Sequence, residues 1–207
     1  MVLTKMILMK QISAAGYECE LLPLSDSEAV CIYVPRFFDK CALAELDQEI
    51  AWRQDSITMF GRKTKLPRLT AYYGDQGTSY IYSGIKNDPL QWSPTLSAMR
   101  AHMQSVLGLN FNAVLANRYA DGSQHMGYHA DDEPELGINP VIGSLSFGDT
   151  RRFLIKSVGG NERHKVDLES GSLLLMAGTF QHHYQHALGK TKRQSGLRIN
   201  LTFRLVV

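Results

Sequence analysis

The second half of the chain is a succession of short strand-like segments, and this pattern constrains the fold more than any other feature. Apolar and β-branched runs, separated by Gly, Asp and Pro, occur around residues 111–119, 141–148, 152–157, 172–177 and 197–206. The helix-like segments precede them. Helices followed by a run of strands predict an α+β, mainly β protein, with a double-stranded β-helix (jelly-roll) core buttressed by N-terminal helices.

Two helices are predicted before the strands. One covers residues 39–53, where apolar residues recur on one side. The other begins after the capping residue Ser93, carries a single apolar stripe and ends before Gly108. A short strand at residues 29–34 precedes both.

The last strand-like segment alternates polar and apolar residues from Arg198 to Arg204. Read with a period of two, its polar face comprises Arg198, Asn200, Thr202 and Arg204. An ordinary half-buried strand would explain this alternation. Two arginines beside two neutral hydrogen-bonding residues also suit capture of a carboxylate-bearing small molecule. The arginines stand roughly 20 Å apart along an extended strand, so either their side chains converge or one has a supporting role.

The triplet His129-Ala130-Asp131, followed by His186, supplies two imidazoles and one carboxylate. This is the ligand set of a non-haem Fe(II) site with open coordination positions. If His129 and Asp131 lie on a strand, their spacing turns both side chains to the same face. His182 and His183 compete with His186 for the third position. A His-x-Asp triplet alone is often a polar surface contact, so other residues must support the metal interpretation.

Another strand-like run ends with Asn117 and Tyr119 on a common face. Both side chains could donate hydrogen bonds to the carboxylates of the same small molecule. The alternative is that Tyr119 is a core residue whose hydroxyl group reaches solvent.

Together these residues resemble the AlkB family of Fe(II)- and 2-oxoglutarate-dependent dioxygenases. The resemblance runs from about Phe60 to the C-terminus. Its motifs are Asn117-Arg-Tyr119-x-Asp-Gly, His129-x-Asp131-Asp132-Glu133, Ser146-Phe147-Gly148, His186 and Arg198-x-Asn-Leu-Thr-Phe-Arg204. The segments Pro67-Arg68, Tyr73-Gly74-Asp75 and Tyr80-Ile-Tyr82-Ser83-Gly84 are most similar to the branch that contains DNA-repair members.

The resemblance implies three cofactors: Fe(II), 2-oxoglutarate as cosubstrate, and O2. The implied metal ligands, which are also the catalytic residues, are His129, Asp131 and His186. The implied 2-oxoglutarate contacts are Asn117, Tyr119, Arg198, Asn200, Thr202 and Arg204. Arg198 would anchor the distal carboxylate, with Arg204 and Asn117 nearer the end that chelates the metal.

Residues 59–92 are expected to recognise the substrate nucleotide. Phe60 is the candidate wedge that fills the gap left by an extruded base, although packing of Phe60 in the core is an equal alternative. The resemblance places Asp132 against the exocyclic amino group of the target base. The predicted substrate contacts are Phe60, Gly61, Arg62, Arg68, Tyr80, Ile81, Tyr82, Ser83 and Asp132.

The implied function is direct-reversal DNA repair, in which 1-methyladenine and 3-methylcytosine are oxidatively demethylated with release of formaldehyde and succinate. The expected partner is alkylated DNA, double- or single-stranded. Demethylation of RNA by the same cofactor residues is the first alternative. A dioxygenase acting on protein or a metabolite, and a non-enzymatic nucleic-acid-binding jelly roll, are the others.

Length and composition predict one catalytic domain over residues 1–207, with 44% hydrophobic content. Its expected parts are an N-terminal extension and helix (1–58), the nucleotide-recognition region (59–92), and a helix plus the jelly-roll core (93–207). The formal net charge is only +2, so nucleic-acid binding would rely on basic clusters. These clusters are Arg62, Lys63, Lys65 and Arg68; Arg151, Arg152 and Lys156; and Lys190, Lys192 and Arg193.

The cysteines Cys19, Cys31 and Cys41 are odd in number, which indicates a reducing compartment rather than a disulfide framework. The apolar N-terminus is interrupted by Lys5 and Lys10 and is too short to span a bilayer. We therefore expect a soluble intracellular monomer without a membrane partner, cytoplasmic in a bacterium and nuclear in a eukaryote.

Overall fold

The structure is a computed structural model that describes residues 5–38, 43–59, 62–82, 85–193 and 195–207. Its helices are α1 (Lys5–Ala14), α2 (Leu43–Glu49), α3 (Pro94–Leu107), a 3-10 turn (Pro134–Leu136) and α4 (Phe180–His183). Its first seven strands are β1 (Glu20–Leu21), β2 (Ala29–Val34), β3 (Ser56–Met59), β4 (Arg62–Lys65), β5 (Leu69–Gly74), β6 (Tyr80–Tyr82) and β7 (Ile85–Asn87). The others are β8 (Ala113–Tyr119), β9 (Met126–His129), β10 (Ile142–Gly148), β11 (Arg151–Ser157), β12 (Arg163–Leu168), β13 (Ser172–Gly178), β14 (Tyr184–Leu188) and β15 (Arg198–Arg204).

Two antiparallel sheets contain most of the strands. The larger sheet has the order β1-β2-β13-β10-β15-β8-β5, and the smaller sheet has the order β12-β11-β14-β9. The pairs β3–β4 and β6–β7 form separate hairpins. β10 pairs with β13 on one side and with β15 on the other, which explains why its sequence is apolar or small over most of its length. β10 ends at Gly148, where φ is 88° and an added Cβ would collide with the carbonyl oxygen of Leu197.

Two apolar cores lie on opposite faces of the larger sheet. On one face α1, α2 and α3 pack against residues such as Ile199, Leu201 and Phe203. On the other face, residues such as Leu115 and Met176 pack against the smaller sheet. The prediction of a mainly β fold with helices packed against it is therefore confirmed, and the paired strands of the two sheets are antiparallel.

The predicted helix after Ser93 is also confirmed. Ser93 Oγ accepts a hydrogen bond from the main-chain nitrogen of Leu96 at 3.4 Å, and Pro94 occupies the first turn. At the other end Gly108 has φ of 63°, and its N–H donates to the carbonyl of Gln104. The buried stripe of this helix packs on the larger sheet, as the periodicity indicated.

The helix predicted over residues 39–53 is too long. Within the described residues it covers Leu43–Glu49, and residues 39–42 lie outside them. Arg53 instead exchanges two main-chain hydrogen bonds with Thr70, and the main-chain nitrogen of Ala51 donates to Tyr73. Tertiary pairing thus replaces the helical hydrogen bonds that local periodicity favoured.

The segment before residue 59 contributes to the larger sheet as well as to the helical layer. β2 pairs with β13 from Val34 opposite Leu173 to Ala29 opposite Gly178. Helix α1 packs against α3, and its Leu8 and Ile12 are buried. Among the described residues, no helix combines the length and apolarity needed to cross a membrane.

Candidate metal centre

Three potential metal ligands meet at the edge of the space between the two sheets. His129 ends β9, and His186 lies opposite it in the neighbouring strand β14. Asp131 follows His129 by two residues. One ligand atom from each of the three side chains lies within 4.8 Å of the others. The structure therefore brings together the set that the sequence predicted as metal ligands.

The competing histidines lie outside this cluster. The Nε2 atom of His182 is 2.6 Å from the carbonyl oxygen of Ile138, and Nδ1 of His183 is 2.6 Å from a carboxylate oxygen of Asp26. Both side chains are exposed on α4. His186 is thus the histidine that joins His129.

Both clustered imidazoles can offer a nitrogen lone pair to a metal ion. Burial, together with the charges of His129 and Arg204, lowers the pKa of His186 to about 3, although Asp131 acts in the opposite direction. His186 is therefore neutral near pH 7. Nδ1 of His129 is 3.0 Å from the carbonyl oxygen of Gly127. Because a carbonyl only accepts, Nδ1 carries the hydrogen and leaves Nε2 as the ligand atom.

Asp131 supplies the negative charge of the cluster. Its side chain is buried, which would raise its pKa, but the charges of Arg204, His186 and His129 lower the pKa below its ordinary value. Nη2 of Arg204 donates to Oδ1 of Asp131 at 3.3 Å. Oδ2 is 3.8 Å from Nε2 of His186. An ionised carboxylate thus stands between a guanidinium group and two imidazoles.

The spacing of His129 and Asp131 suggested that both could lie on one strand, and the structure shows that they do not. β9 ends at His129, so Asp131 lies beyond the hydrogen-bonded ladder. Its main-chain N–H donates instead to Oε1 of Gln181 at 2.9 Å. Asp131 therefore reaches the two histidines from an irregular segment, which contacts with Gln181 and Arg204 hold in place.

A pocket opens beside the cluster, between the two sheets. Its lining residues come from strands of both sheets and from the segment that carries Asp131. Polar lining comes from Asn117, Tyr119, Ser144, Arg198, Asn200, Thr202 and Arg204. Apolar lining comes from Leu115, Met126, Phe153, Met176 and Leu188. The six residues predicted to bind 2-oxoglutarate thus line the same pocket as the three predicted metal ligands.

The alternative that β15 is an ordinary half-buried strand is wrong. All seven of its residues are buried. Its apolar face packs under the helices, and its polar face lines the pocket instead of facing bulk water. The alternation therefore marks a strand between a core and a polar cavity.

Arg198 is a buried cation with hydrogen-bonding capacity to spare. It is 2% exposed, its Nη2 donates to Ser146 Oγ at 2.9 Å, and its guanidinium carbon lies 5.4 Å from the centre of the Tyr119 ring. Its Nε has no hydrogen-bond partner among the described residues. Burial lowers its pKa to about 10, so it stays protonated near pH 7. A buried cation with an unpaired donor favours an anionic ligand.

The two arginines of β15 have different surroundings. Arg204 contacts Asp131, whereas Arg198 contacts Ser146. Of the two arrangements that the spacing left open, these contacts favour the one in which an arginine supports the metal ligands. Arg198 is then the cation available to a ligand's carboxylate.

Neighbouring side chains hold the other polar groups of the pocket. Nδ2 of Asn200 donates to Ser144 Oγ at 2.8 Å, and Thr202 donates to Oδ1 of Asn200 at 3.1 Å. Nε of Arg68 donates to Oδ1 of Asn117 at 2.7 Å. Sequence reasoning missed Ser144 and the contact between Arg68 and Asn117. The facing positions of β10 and β15, Ser144 opposite Thr202, become visible only when the strand register is known.

The structure describes the predicted substrate residues unevenly. Phe60, Gly61 and Ser83 lie outside the described residues. The other predicted contacts in residues 59–92 are Arg62 in β4, Arg68, and Tyr80, Ile81 and Tyr82 in β6. Arg68 is only 3% exposed, so its contact with Asn117 ties it to the pocket rather than to an exposed surface.

The acidic pair after Asp131 has two different environments. Asp132 is exposed, whereas Glu133 is half-buried and its Oε2 has no hydrogen-bond partner among the described residues. Burial, with the charges of Asp131 and Asp132, raises the pKa of Glu133 to about 7 against the opposing effect of Arg204. Glu133 can therefore donate or accept a hydrogen bond near neutral pH.

The prediction that Arg151, Arg152 and Lys156 form a phosphate-binding cluster is wrong for Arg151. Arg151 is buried and donates to the main-chain carbonyls of Asp121, Gln124 and Gly189. Arg151 therefore stabilises the loops that contain these carbonyl groups. Because its N–H donors are used within the protein, it is not a phosphate contact. Arg152 pairs with Asp167, while the cluster formed by Lys190, Lys192 and Arg193 is exposed.

A polar network supports the strand that carries His186. The hydroxyl of Tyr184 donates to Glu162, which also contacts Ser25 and His164. Burial alone would raise the pKa of Glu162, but the hydrogen bonds of Ser25, His164 and Tyr184 lower it from 4.5 to about 2. The neighbouring carboxyl of Asp26 behaves in the same way, since bonds from Thr179, Glu28 and His183 outweigh burial and lower its pKa from 3.8 to about 2.

This network predicts a loss of stability in acid. The unfolded chain binds more protons than the folded chain between about pH 4.5 and pH 2, so the contribution of Glu162 is present above pH 4.5 and is lost as the pH falls toward 2. Urea unfolding across this range should therefore show a falling free energy of unfolding. Glu162→Gln should lower that free energy at pH 7 and flatten its dependence on acid pH. Glu20→Gln, at an exposed position in β1, is the matched control and should change neither.

Comparison with known proteins agrees with this geometry. Residues 33–204 match the family model of the 2OG-Fe(II) oxygenase superfamily. Bovine DNA oxidative demethylase ALKBH2 is 36% identical over 174 residues, which cover 79% of this chain and 63% of the relative. Human alpha-ketoglutarate-dependent dioxygenase alkB homolog 3 is 37% identical over 204 residues, which cover 92% of this chain and 70% of the relative. The solved structure of OsALKBH1 shares the fold, with a TM-score of 0.62 and 22% identity over 90% of this chain and 100% of that one.

Proposed function

The chain belongs to the AlkB family of 2OG-Fe(II) oxygenases, and we propose that it oxidatively demethylates alkylated bases in DNA. The proposed substrates are 1-methyladenine and 3-methylcytosine, and the products are the unmodified base, formaldehyde and succinate. The observation that carries the proposal is the cluster of His129, Asp131 and His186 beside a buried pocket that contains Arg198. The relatives named DNA oxidative demethylase ALKBH2 support DNA as the substrate class.

The donor set fits Fe(II). Two imidazoles and one ionised carboxylate are the protein ligands of non-haem Fe(II) oxygenases, in which other coordination positions stay open. Nδ1 of His186 is buried and has no hydrogen-bond partner among the described residues. His129, Asp131 and His186 would therefore hold the iron.

The polar lining of the pocket suits 2-oxoglutarate, a small molecule with two carboxylates. Arg198 offers an unpaired buried donor to the distal carboxylate, and Tyr119 lies beside its guanidinium group. Asn117 and Arg204 would contact the end of 2-oxoglutarate that lies nearer the metal. Ser144 orients Asn200, and Asn200 in turn accepts from Thr202, so this side of the pocket is organised before the ligand binds.

Iron and 2-oxoglutarate, when bound, would supply the oxidising power for hydroxylation of the methyl group by O2. The residues of the chain bind and orient the reactants. Arg204 holds the Asp131 carboxylate, and Arg198 fixes the cosubstrate. Phe153, Met176 and Leu188 line the pocket with apolar surface that limits the entry of water. The hydroxylated methyl group then leaves the base as formaldehyde.

We further infer that the two facing sheets form a double-stranded β-helix. β10, β13, β15 and β8 run side by side in the larger sheet, and β11, β14 and β9 form the opposing layer. The candidate metal ligands come from the smaller sheet and from the irregular segment after β9, while most of the polar lining of the pocket comes from the larger sheet. The two layers thus enclose the reactants between them.

Substrate recognition is assigned to the two hairpins β3–β4 and β6–β7. Phe60 falls between β3 and β4 in sequence, and basic residues follow it in β4. An apolar wedge flanked by positive charge suits a duplex from which one base is extruded. Asp132 would accept a hydrogen bond from the exocyclic amino group of that base.

The direct test is mass spectrometry of oligonucleotides after incubation with Fe(II), 2-oxoglutarate and O2. DNA carrying 1-methyladenine or 3-methylcytosine should lose the mass of the methyl substitution, with equivalent formation of succinate. Absence of this loss from both single- and double-stranded DNA would contradict the proposal. Loss from methylated RNA alone would instead establish the RNA alternative. Phe60→Ala should reduce the reaction on duplex DNA more than on single strands.

A further inference from the structure

Asp131 is the one member of the candidate metal cluster that no strand positions. His129 and His186 are paired in the ladder between β9 and β14. Asp131 lies beyond the end of β9, so sheet hydrogen bonds do not fix its main chain. A metal ligand must nevertheless be held close to its productive position for the site to bind tightly.

Gln181 supplies the missing main-chain contact. Its Oε1 accepts the N–H of Asp131 at 2.9 Å across 50 residues of sequence. Gln181 is 3% exposed and lies in α4, the short helix that leads directly into β14 and His186. The continuous segment formed by α4 and β14 therefore carries His186 and also contacts the main chain of Asp131.

The chemistry of this contact fixes the orientation of the Gln181 amide. The N–H of Asp131 requires an acceptor, so the oxygen of the amide must face it. The nitrogen of the same amide, Nε2, is then buried without a hydrogen-bond partner among the described residues. Burial of an unpaired donor is unfavourable, so the packing of α4 alone gives no reason for an amide at this position.

We propose that Gln181 is a positioning residue of the metal centre, whose amide oxygen holds the main chain of Asp131 so that its carboxylate meets His129 and His186. Arg204 restrains the same carboxylate from β15. Asp131 is thus fixed at its main chain by α4 and at its side chain by the larger sheet. The inference rests on the metal-binding part of the proposed function.

The test is Gln181→Met, which keeps the length of the side chain and removes the acceptor. The probe is Mn(II), and the concentration of free Mn(II) is followed by electron paramagnetic resonance during titration of the metal-free protein. Loss of a supporting contact to a metal ligand typically weakens metal binding by about 10–100-fold, and we expect a rise of this size in the dissociation constant. Gln181→Glu retains an oxygen acceptor and should recover most of the affinity.

Gln185→Met is the matched control. Gln185 is half-buried in β14 and next to His186, but it does not line the pocket. The same chemical change there should leave the Mn(II) dissociation constant and the urea midpoint of unfolding unchanged. If Gln181→Met does not fold, Gln181→Asn can replace it, because the shorter side chain moves the acceptor away from Asp131 by one methylene group. The same rise in the Mn(II) dissociation constant is expected for Gln181→Asn.

The outcomes separate this inference from the proposed function. Wild-type protein that binds no Mn(II) would contradict the metal site itself. Tight binding by the wild type together with equal affinity in Gln181→Met would overturn only the role of Gln181. Failure of Gln181→Glu to improve on Gln181→Met would also overturn it, because the acceptor would then be irrelevant. A second readout is the visible charge-transfer band of the anaerobic complex with Fe(II) and 2-oxoglutarate, which should weaken in Gln181→Met at a fixed iron concentration and return in Gln181→Glu.

Discussion

Asp131→Asn is expected to abolish demethylation almost completely, with a loss greater than the roughly 10–100-fold that removal of a supporting contact causes. The substitution replaces the single carboxylate of the metal cluster by a neutral amide. The asparagine oxygen can still accept from Arg204, and its main-chain N–H can still donate to Gln181, so the fold should survive. The effect on activity should therefore come from weaker metal binding by a site that has lost its negative charge.

The measurement is the rate of succinate formation on methylated DNA, together with the Mn(II) dissociation constant. The control is Asp167→Asn in β12, which removes a carboxylate from an exposed ion pair with Arg152. Exposed pairs contribute little to stability, so this variant should retain activity and metal affinity. Full activity of Asp131→Asn would show that this carboxylate is not a metal ligand. An Asp131→Asn protein that has lost activity but unfolds at the wild-type urea midpoint would support the assignment.

Local sequence patterns were sufficient to predict β8 and β15, which carry most of the polar lining of the pocket, but not β9 and β14, which carry His129 and His186. The alternation from Arg198 to Arg204 predicted which four residues share a face, and the structure places all four in the pocket. Alternation could not show what covers that face, because a period of two is the same beside water and beside a polar cavity. That distinction depends on β9, β11 and β14, which form the opposing sheet.

The features that the sequence did not predict share one physical cause, which is contact between segments that are distant in sequence. The helix after residue 39 ends early because Arg53 pairs with Thr70, and β2 belongs to the larger sheet because it pairs with β13. Neither pairing leaves a signal in a local window of sequence. Gln181 was missed for the same reason, since its function depends on a single contact with Asp131.

Arg198→Lys is expected to raise the KM for 2-oxoglutarate by about 10–150-fold, the equivalent of losing one hydrogen bond to a charged group, about 1.5–3 kcal/mol. Lysine keeps a positive charge but lacks the planar fork that can contact Ser146 and a carboxylate together. It also loses the stacking geometry of the guanidinium group beside Tyr119. Because Arg204 and the metal ligands are unchanged, kcat at saturating 2-oxoglutarate should fall much less than kcat/KM.

Initial rates at varied 2-oxoglutarate and fixed methylated DNA would measure both constants. Arg118→Lys is the control, because Arg118 lies in β8 and forms a bidentate ion pair with Asp47 outside the pocket. The control can lower stability, but it should not change the KM for 2-oxoglutarate. A wild-type KM in Arg198→Lys would show that the distal carboxylate binds elsewhere. A large fall in kcat with unchanged KM would instead place Arg198 at the reacting end of the cosubstrate, and the assigned orientation of 2-oxoglutarate in the pocket would have to be reversed.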